Sequence, residues 1–238
     1  MTPVCTALPL DGVPHPASLA LPDGAGRVPG VVVVHDITGF RADTRRHCVR
    51  LAAAGFAAAA PDLYAGGRPA CVVRTLTSLL RGHGEGLAVI EATRTALAAH
   101  PRVDPGRIGI IGFCMGGGFA LMAAADGPYA VAGPFYGTVP RSAERLRGLC
   151  PTLAQFGEQD LPFRSHAARL GRHLEALGIE HELVIHEDVG HSFMNAHADA
   201  LFSLGRFTPL RARHDAAVEA DAWARLLRWF RAHLGAPE

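Results

Sequence analysis

The chain has 238 residues, of which 49% are hydrophobic and 19% charged, and its formal net charge is +1. That length sustains a full core, and the near-neutral balance argues against a polyanionic partner. All 23 basic residues are arginines spread along the chain rather than gathered in one stripe, which argues against a nucleic-acid surface. Five cysteines, Cys5, Cys48, Cys71, Cys114 and Cys150, make an odd set with no C-x-x-C pair. They read as free thiols of a reducing compartment. Residues Met1 to Ala20 lack the basic start and apolar core of a signal peptide, and no stretch approaches a membrane span. The expectation is a cytoplasmic protein with a single domain, residues 1–238, as a monomer or small homo-oligomer.

Val4 to Leu8 and Ala17 to Leu21 read as two short strands joined around Asp11-Gly12. Val31 to Val34 is a fully apolar run bounded by Pro29-Gly30, the pattern of a buried parallel strand. Thr44 to Ala54 reads as a helix stopped by Gly55, and Phe56 to Ala60 as a strand ended by Pro61-Asp62. Tyr64 to His83 reads as a loop carrying Arg68, Arg74 and Arg81. Gly84 to His100 is helical, with Leu87, Ile90 and Leu97 on one side, and Ile108 to Gly112 is a strand. Tyr129 to Tyr136 and Thr152 to Phe156 are the next strands. Ser165 to Leu177 is an amphipathic helix with Gly178 after it. His181 to His186 is the last strand, and Asp215 to Leu234 the terminal helix with Trp223, Leu226, Leu227, Phe230 and Leu234 inward. Strands and helices alternate throughout. That predicts an α/β fold with a mostly parallel central sheet and helices on both faces, and chemistry at the carboxyl ends of the strands.

Gly112-Phe113-Cys114-Met115-Gly116-Gly117 joins the apolar strand to a helical stretch from Gly118 to Ala125. A strand, a tight glycine-flanked turn and a helix form the setting in which α/β-hydrolases hold a nucleophile. The glycines relieve crowding in a strained turn, and the N-terminus of a helix favours a thiolate. A thiol nucleophile needs a base, and the base an orienting acid. After the strand ending at Phe156 come Glu158 and Asp160, and after the last strand comes Gly190-His191. Either carboxylate suits the acid, and His191 the base. His186, His191 and His197 lack the tight spacing of a helical metal site, so neither metal nor cofactor is expected.

These residues resemble the dienelactone hydrolase family of α/β-hydrolases. The matching pieces are Val31 to Asp36, Gly55 to Tyr64, Gly112 to Gly118, Phe156 to Asp160 and Gly190 to Asn195, in an order and spacing that cover nearly the whole chain. The resemblance implies Cys114 as nucleophile, His191 as base and later acid, and Asp160 as the orienting acid. It implies Asp36 as a supporting acid near the thiol, where glutamate is more usual. It also implies an oxyanion hole from the backbone N–H groups of Met115 and Ile37. The implied reaction is hydrolysis of a small ester or lactone through a thioester acyl-enzyme. Family members acting on dienelactone itself are expected to grip its carboxylate with arginines, one soon after the catalytic histidine. Here Asn195 stands four residues after His191. Arg81, Arg206, Tyr64 and Phe193 are the candidate substrate-binding residues. The alternatives are a broad small-ester carboxylesterase, or a weakly catalytic sensor or binding protein with Cys114 as its reactive thiol.

Overall fold

Val31 to Val34, Ala57 to Ala60 and Ile110-Ile111 have no exposed surface at all. Strands this apolar on both sides belong inside a sheet that is covered on both faces. The computed structural model, which describes residues 4–64, 69–196 and 204–235, shows that sheet. Its strands are β1 (Cys5–Leu8), β2 (Ala17–Ala20), β3 (Val28–Val34), β4 (Ala57–Pro61), β5 (Val103–Phe113), β6 (Val131–Phe135), β7 (Thr152–Gly157) and β8 (His181–His186). They lie in the order β1-β2-β4-β3-β5-β6-β7-β8. The β1–β2 and β2–β4 pairs are antiparallel and the other pairs parallel.

The helices are α1 (Ala42–Ala53), α2 (Pro69–Arg81), α3 (Glu85–Ala99), α4 (Met115–Asp126), α5 (Leu161–Leu177) and α6 (Ala216–Leu234). Strand register shows how two of them divide between the faces. Gly30 pairs with Ile108 and Val31 with Gly109. A Cβ on Gly30 would meet Leu97 of α3, and one on Gly109 would meet Phe230 of α6. Neighbouring strand residues face opposite ways, so α3 and α6 cover opposite faces. Helix α1 joins α6: Arg46 and Arg50 both pair with Glu219, and the Arg50 guanidinium lies 4.1 Å from the centre of the Trp223 ring. Asp215 caps α6 by accepting the N–H groups of Ala217 and Val218, which starts that helix where the sequence predicts.

Helix α2 replaces the loop predicted from Tyr64 to His83. Val72, Leu76 and Leu79 recur at helical spacing and pack against the core. The β-branched Val72, Val73, Thr75 and Thr77 lower its helix propensity and obscure that period. Of the arginines placed on that loop, Arg74 pairs with Glu85 at 3.2 Å, and Arg68 lies outside the described residues. Helix α5 begins four residues earlier than predicted, because Pro162 in the first turn lacks only an N–H that would have no partner there. Among the described residues no helix is long and apolar enough to cross a membrane.

Candidate active site

The carboxyl ends of β5, β7 and β8 lead directly into Cys114, Asp160 and His191. Cys114 has φ 55° and ψ −115°, a region that costs a non-glycine residue about 1–3 kcal/mol. The turn is held by its surroundings. The Cys114 N–H donates to Phe135 O at 3.0 Å, and Gly117 N–H donates to Cys114 O at 3.0 Å. A Cβ on Gly112 would lie 2.0 Å from Gly116 O, and one on Gly116 would lie 2.3 Å from Val34 O and 2.5 Å from His35 O. The flanking glycines are therefore a packing requirement of the elbow. The half-buried thiol stands at the N-terminus of α4, beside the partial positive charge of that helix end.

His191 Nδ1–H donates to Asp160 Oδ2 at 2.5 Å, and the two side chains are 4% and 0% exposed. Its other ring nitrogen is left free by Asp160 and is the one available to Cys114, whose charge acts on the ring. Burial opposes the imidazolium, but the negative charges of Cys114 and Asp160 outweigh it and push His191 up to about 10. The ring is packed by Tyr136 and Phe163, each with its centroid 4.8 Å away. Its loop is tied by His191 N–H to Leu210 O at 2.8 Å and by Arg213 N–H to His191 O at 3.0 Å. Asp160 occupies the N-cap position of α5, yet its side chain caps nothing and goes to the imidazole instead. The rival acid, Glu158, is exposed and among the described residues its carboxylate reaches only Asp188 N–H, at 3.5 Å. Of the two carboxylates, the structure brings Asp160 to His191.

Asp36 lies in the loop after β3. Its Oδ1 accepts from Thr38 N–H at 2.8 Å and the Thr38 hydroxyl at 2.6 Å, and its Oδ2 accepts from Asn195 Nδ2 at 2.5 Å. The Asn195 Oδ1 in turn accepts from His47 Nε2–H at 2.9 Å. His47 is stacked between Phe113 and Trp223, and burial drives it down to about 4, so it donates as a neutral ring. The residue standing in place of an arginine is thus engaged by a buried carboxylate and a buried imidazole. Tyr64 is 4% exposed; its hydroxyl donates to Ile37 O at 3.0 Å and lies 3.6 Å from Met115 Sδ. That bridges the two segments whose N–H groups are the expected oxyanion donors. Burial raises the Tyr64 phenol, with Asp36 and Cys114 adding to the shift, so it stays a neutral donor.

Two expected substrate-binding residues are placed elsewhere. Phe193 has no exposed surface and packs against Phe135, Tyr136 and His186; it is core beneath His191, not pocket wall. Arg206 is exposed and stacks on Phe207, 4.6 Å from its ring centre. Arg81 lines a cavity whose walls include neither Cys114 nor His191. His186 bonds Gln155 at 2.8 Å and His181 bonds Ile179 O at 2.8 Å, while His197 lies outside the described residues. Tyr136, Phe163 and His47 escaped the sequence reading. Tyr136 alone carried a signal, its place at the carboxyl end of a central strand.

The model of the dienelactone hydrolase family matches residues 16–234. The chain belongs to the dienelactone hydrolase family. It is a carboxylic ester hydrolase of that type, with the α/β-hydrolase fold. Among its relatives is a protein of Methylorubrum extorquens, provisionally named a carboxymethylenebutenolidase; the two are 29% identical over 93% of this chain and 77% of that one. A Salmonella typhimurium protein with the same provisional name is 30% identical over 94% of this chain and 85% of its own. Two solved structures share the fold. A dienelactone hydrolase-like promiscuous phosphotriesterase from metagenomic libraries has a TM-score of 0.82 at 24% identity, covering 98% of this chain and all of that one. The dienelactone hydrolase of Anabaena variabilis has a TM-score of 0.71 at 23% identity, with the same coverage.

Proposed function

We propose that this dienelactone hydrolase-family protein cleaves small esters or lactones through a Cys114–His191–Asp160 triad and a thioester acyl-enzyme. The observation that carries the reading is His191, bound by Asp160 through one ring nitrogen at 2.5 Å, which leaves its second nitrogen for the thiol, and acted on by the charge of Cys114. The Cys114 sulfur attacks the substrate carbonyl and a C–S bond forms. The Met115 and Ile37 N–H groups hold the oxyanion. His191, held as imidazolium, gives its proton to the leaving oxygen as the C–O bond breaks. In a lactone that oxygen stays attached to the acyl group. Water then attacks the thioester, His191 takes its proton, and the sulfur leaves. Asp160 keeps the ring in the tautomer both steps need. Asp36, fastened by Asn195, orders the loop of Ile37 through its bonds to Thr38.

The relatives' provisional names point to small unsaturated lactones. With Asn195 already engaged, a short lactone loses one charge-assisted contact to its carboxylate, roughly 1.5–3 kcal/mol. The expected kcat/KM ratio of a carboxylated lactone to its neutral analogue is therefore below about one hundred. The same reading takes residues 1–238 as one catalytic domain. Cys114→Ala is the test. It abolishes turnover of p-nitrophenyl esters and small lactones, and iodoacetamide labels Cys114 of the wild type ahead of the other thiols. Undiminished activity in the alanine variant overturns the mechanism. A wild type that labels at Cys114 but turns over no activated ester would instead be a thiol sensor.

A further inference from the structure

Beside the triad lies a cavity of about 620 Å³, within the usual size of a small-molecule site. Four arginines line it: Arg81 at the end of α2, Arg141 after β6, Arg145 in the short 3-10 turn Ala143–Leu146, and Arg169 on α5. Among the described residues no aspartate or glutamate lines it. Among the described residues none of the four is ion-paired, whereas Arg46, Arg50, Arg94, Arg107, Arg147 and Arg225 elsewhere each have an acidic partner.

Two of the four are already oriented. Arg145 Nη2 donates to Gly82 O at 3.3 Å, and Arg169 Nη1 donates to Val139 O at 3.1 Å. A guanidinium has five N–H donors, so each keeps several for a ligand. His166, also in the lining, accepts the Val139 N–H on Nδ1 at 2.9 Å. Its proton therefore sits on Nε2, which is a further donor. The Ser142 hydroxyl completes the set. Like charges lining one cavity without a counter-charge repel one another, and a bound anion relieves that repulsion. Arginine forks from several directions match the oxygens of a phosphoryl group.

The cavity adjoins the catalytic groups but has its own walls. Leu79 and Thr138 line it and approach Gly118, one turn of α4 beyond Cys114. Met122 in the lining is about 12 Å further along the helix than Cys114. On the other side, the His166 ring packs on Phe163, which packs on His191.

We propose that this cavity is an anion-binding site for a phosphoryl-bearing small molecule, built from Arg81, Arg141, Arg145, Arg169 and His166. The anion is either the far end of an ester substrate or a separate effector. Calorimetric titration of the full chain with inorganic pyrophosphate at low ionic strength tests it. It is run on the wild type and on Cys114→Ala, so that the site is read independently of turnover. The expected result is saturable one-to-one binding to both. Arg141→Gln and Arg169→Gln should each weaken it by roughly ten- to a hundredfold. Arg228→Gln, which removes the same charge from the exposed side of α6, should not. Among the described residues Arg141 makes no hydrogen bond or ion pair, so its variant separates ligand loss from misfolding, and circular dichroism checks this. With a neutral p-nitrophenyl ester, pyrophosphate that raises KM alone identifies a substrate tail; pyrophosphate that changes kcat at constant KM identifies an effector. No saturable binding at millimolar pyrophosphate, or equal weakening by Arg228→Gln, overturns the proposal.

Discussion

Replacing Asp160 by asparagine keeps the shape of the side chain and removes its charge. Asp160 has no exposed surface, one oxygen 2.5 Å from His191 Nδ1, and a second oxygen with no hydrogen-bond partner among the described residues. An amide that turns its NH2 toward Nδ1 forces the ring proton onto the nitrogen facing Cys114, and His191 then cannot act as a base. In triads of this kind the substitution lowers kcat about 10⁴-fold, equivalent to roughly 5 kcal/mol of transition-state stabilisation. Stability should respond differently. Losing the charge-assisted bond costs roughly 1.5–3 kcal/mol, while neutralising a carboxylate buried this completely returns a desolvation penalty of similar order. The expected outcome is a thousandfold or greater drop in kcat/KM for p-nitrophenyl acetate, roughly as in other triads, with a urea midpoint close to that of the wild type. Glu158→Gln, at an exposed position, should leave both unchanged. Activity of Asp160→Asn within about tenfold of wild type, or a Glu158→Gln variant equally crippled, would refute the reasoning.

Three further outcomes follow from the same geometry. The unfolded chain holds His191 near 6.5 and the folded chain near 10, so the stability this contributes is full below 6.5 and is lost as pH rises through 10; Cys114→Ala should move that loss to lower pH, and urea midpoints that stay flat across this window in the wild type would contradict it. Asn195→Leu removes the buried bonds to Asp36 Oδ2 and from His47 Nε2–H, at roughly 1–3 kcal/mol each, so chemical denaturation should show a loss of roughly 2–6 kcal/mol; a change below about 0.5 kcal/mol, the range of ordinary surface substitutions, would show that the bridge carries no energy. Gly116→Ala drives a Cβ onto the Val34 and His35 carbonyl oxygens and should cost at least about 3 kcal/mol or displace the elbow with loss of activity; a variant that folds and works normally would disprove the packing argument.

Much of this molecule could be read before its structure. The all-valine run at 31–34, the alanines at 57–60 and the apolar stretch before Gly112 carry their burial in their composition, because a strand covered on both faces has no polar side. The order of Cys114, Asp160 and His191 was also visible, since each lies just past a strand and the parallel sheet brings those ends together. What stayed hidden depends on partners rather than patterns. Periodicity shows that Phe193 and Asn195 sit beside the His191 loop, but not that one is core and the other bonds a carboxylate 159 positions away. It equally cannot gather Arg81, Arg141, Arg145 and Arg169 around one cavity, because they come from separate elements. Helix α2 was missed for a local reason: β-branched residues masked a helical period that tertiary packing restores.

The central claim is covalent, so the most direct measurement is covalent too. Wild-type protein mixed with excess p-nitrophenyl acetate, quenched in acid within the first turnovers and digested, should show an acetyl group on the peptide containing Cys114. Hydroxylamine should remove it, as it does a thioester. His191→Ala should show little or none, and Cys114→Ala none, with no turnover. A wild type that releases p-nitrophenol at full rate without acylating Cys114, or a Cys114→Ala protein that turns over normally, would contradict the thioester mechanism.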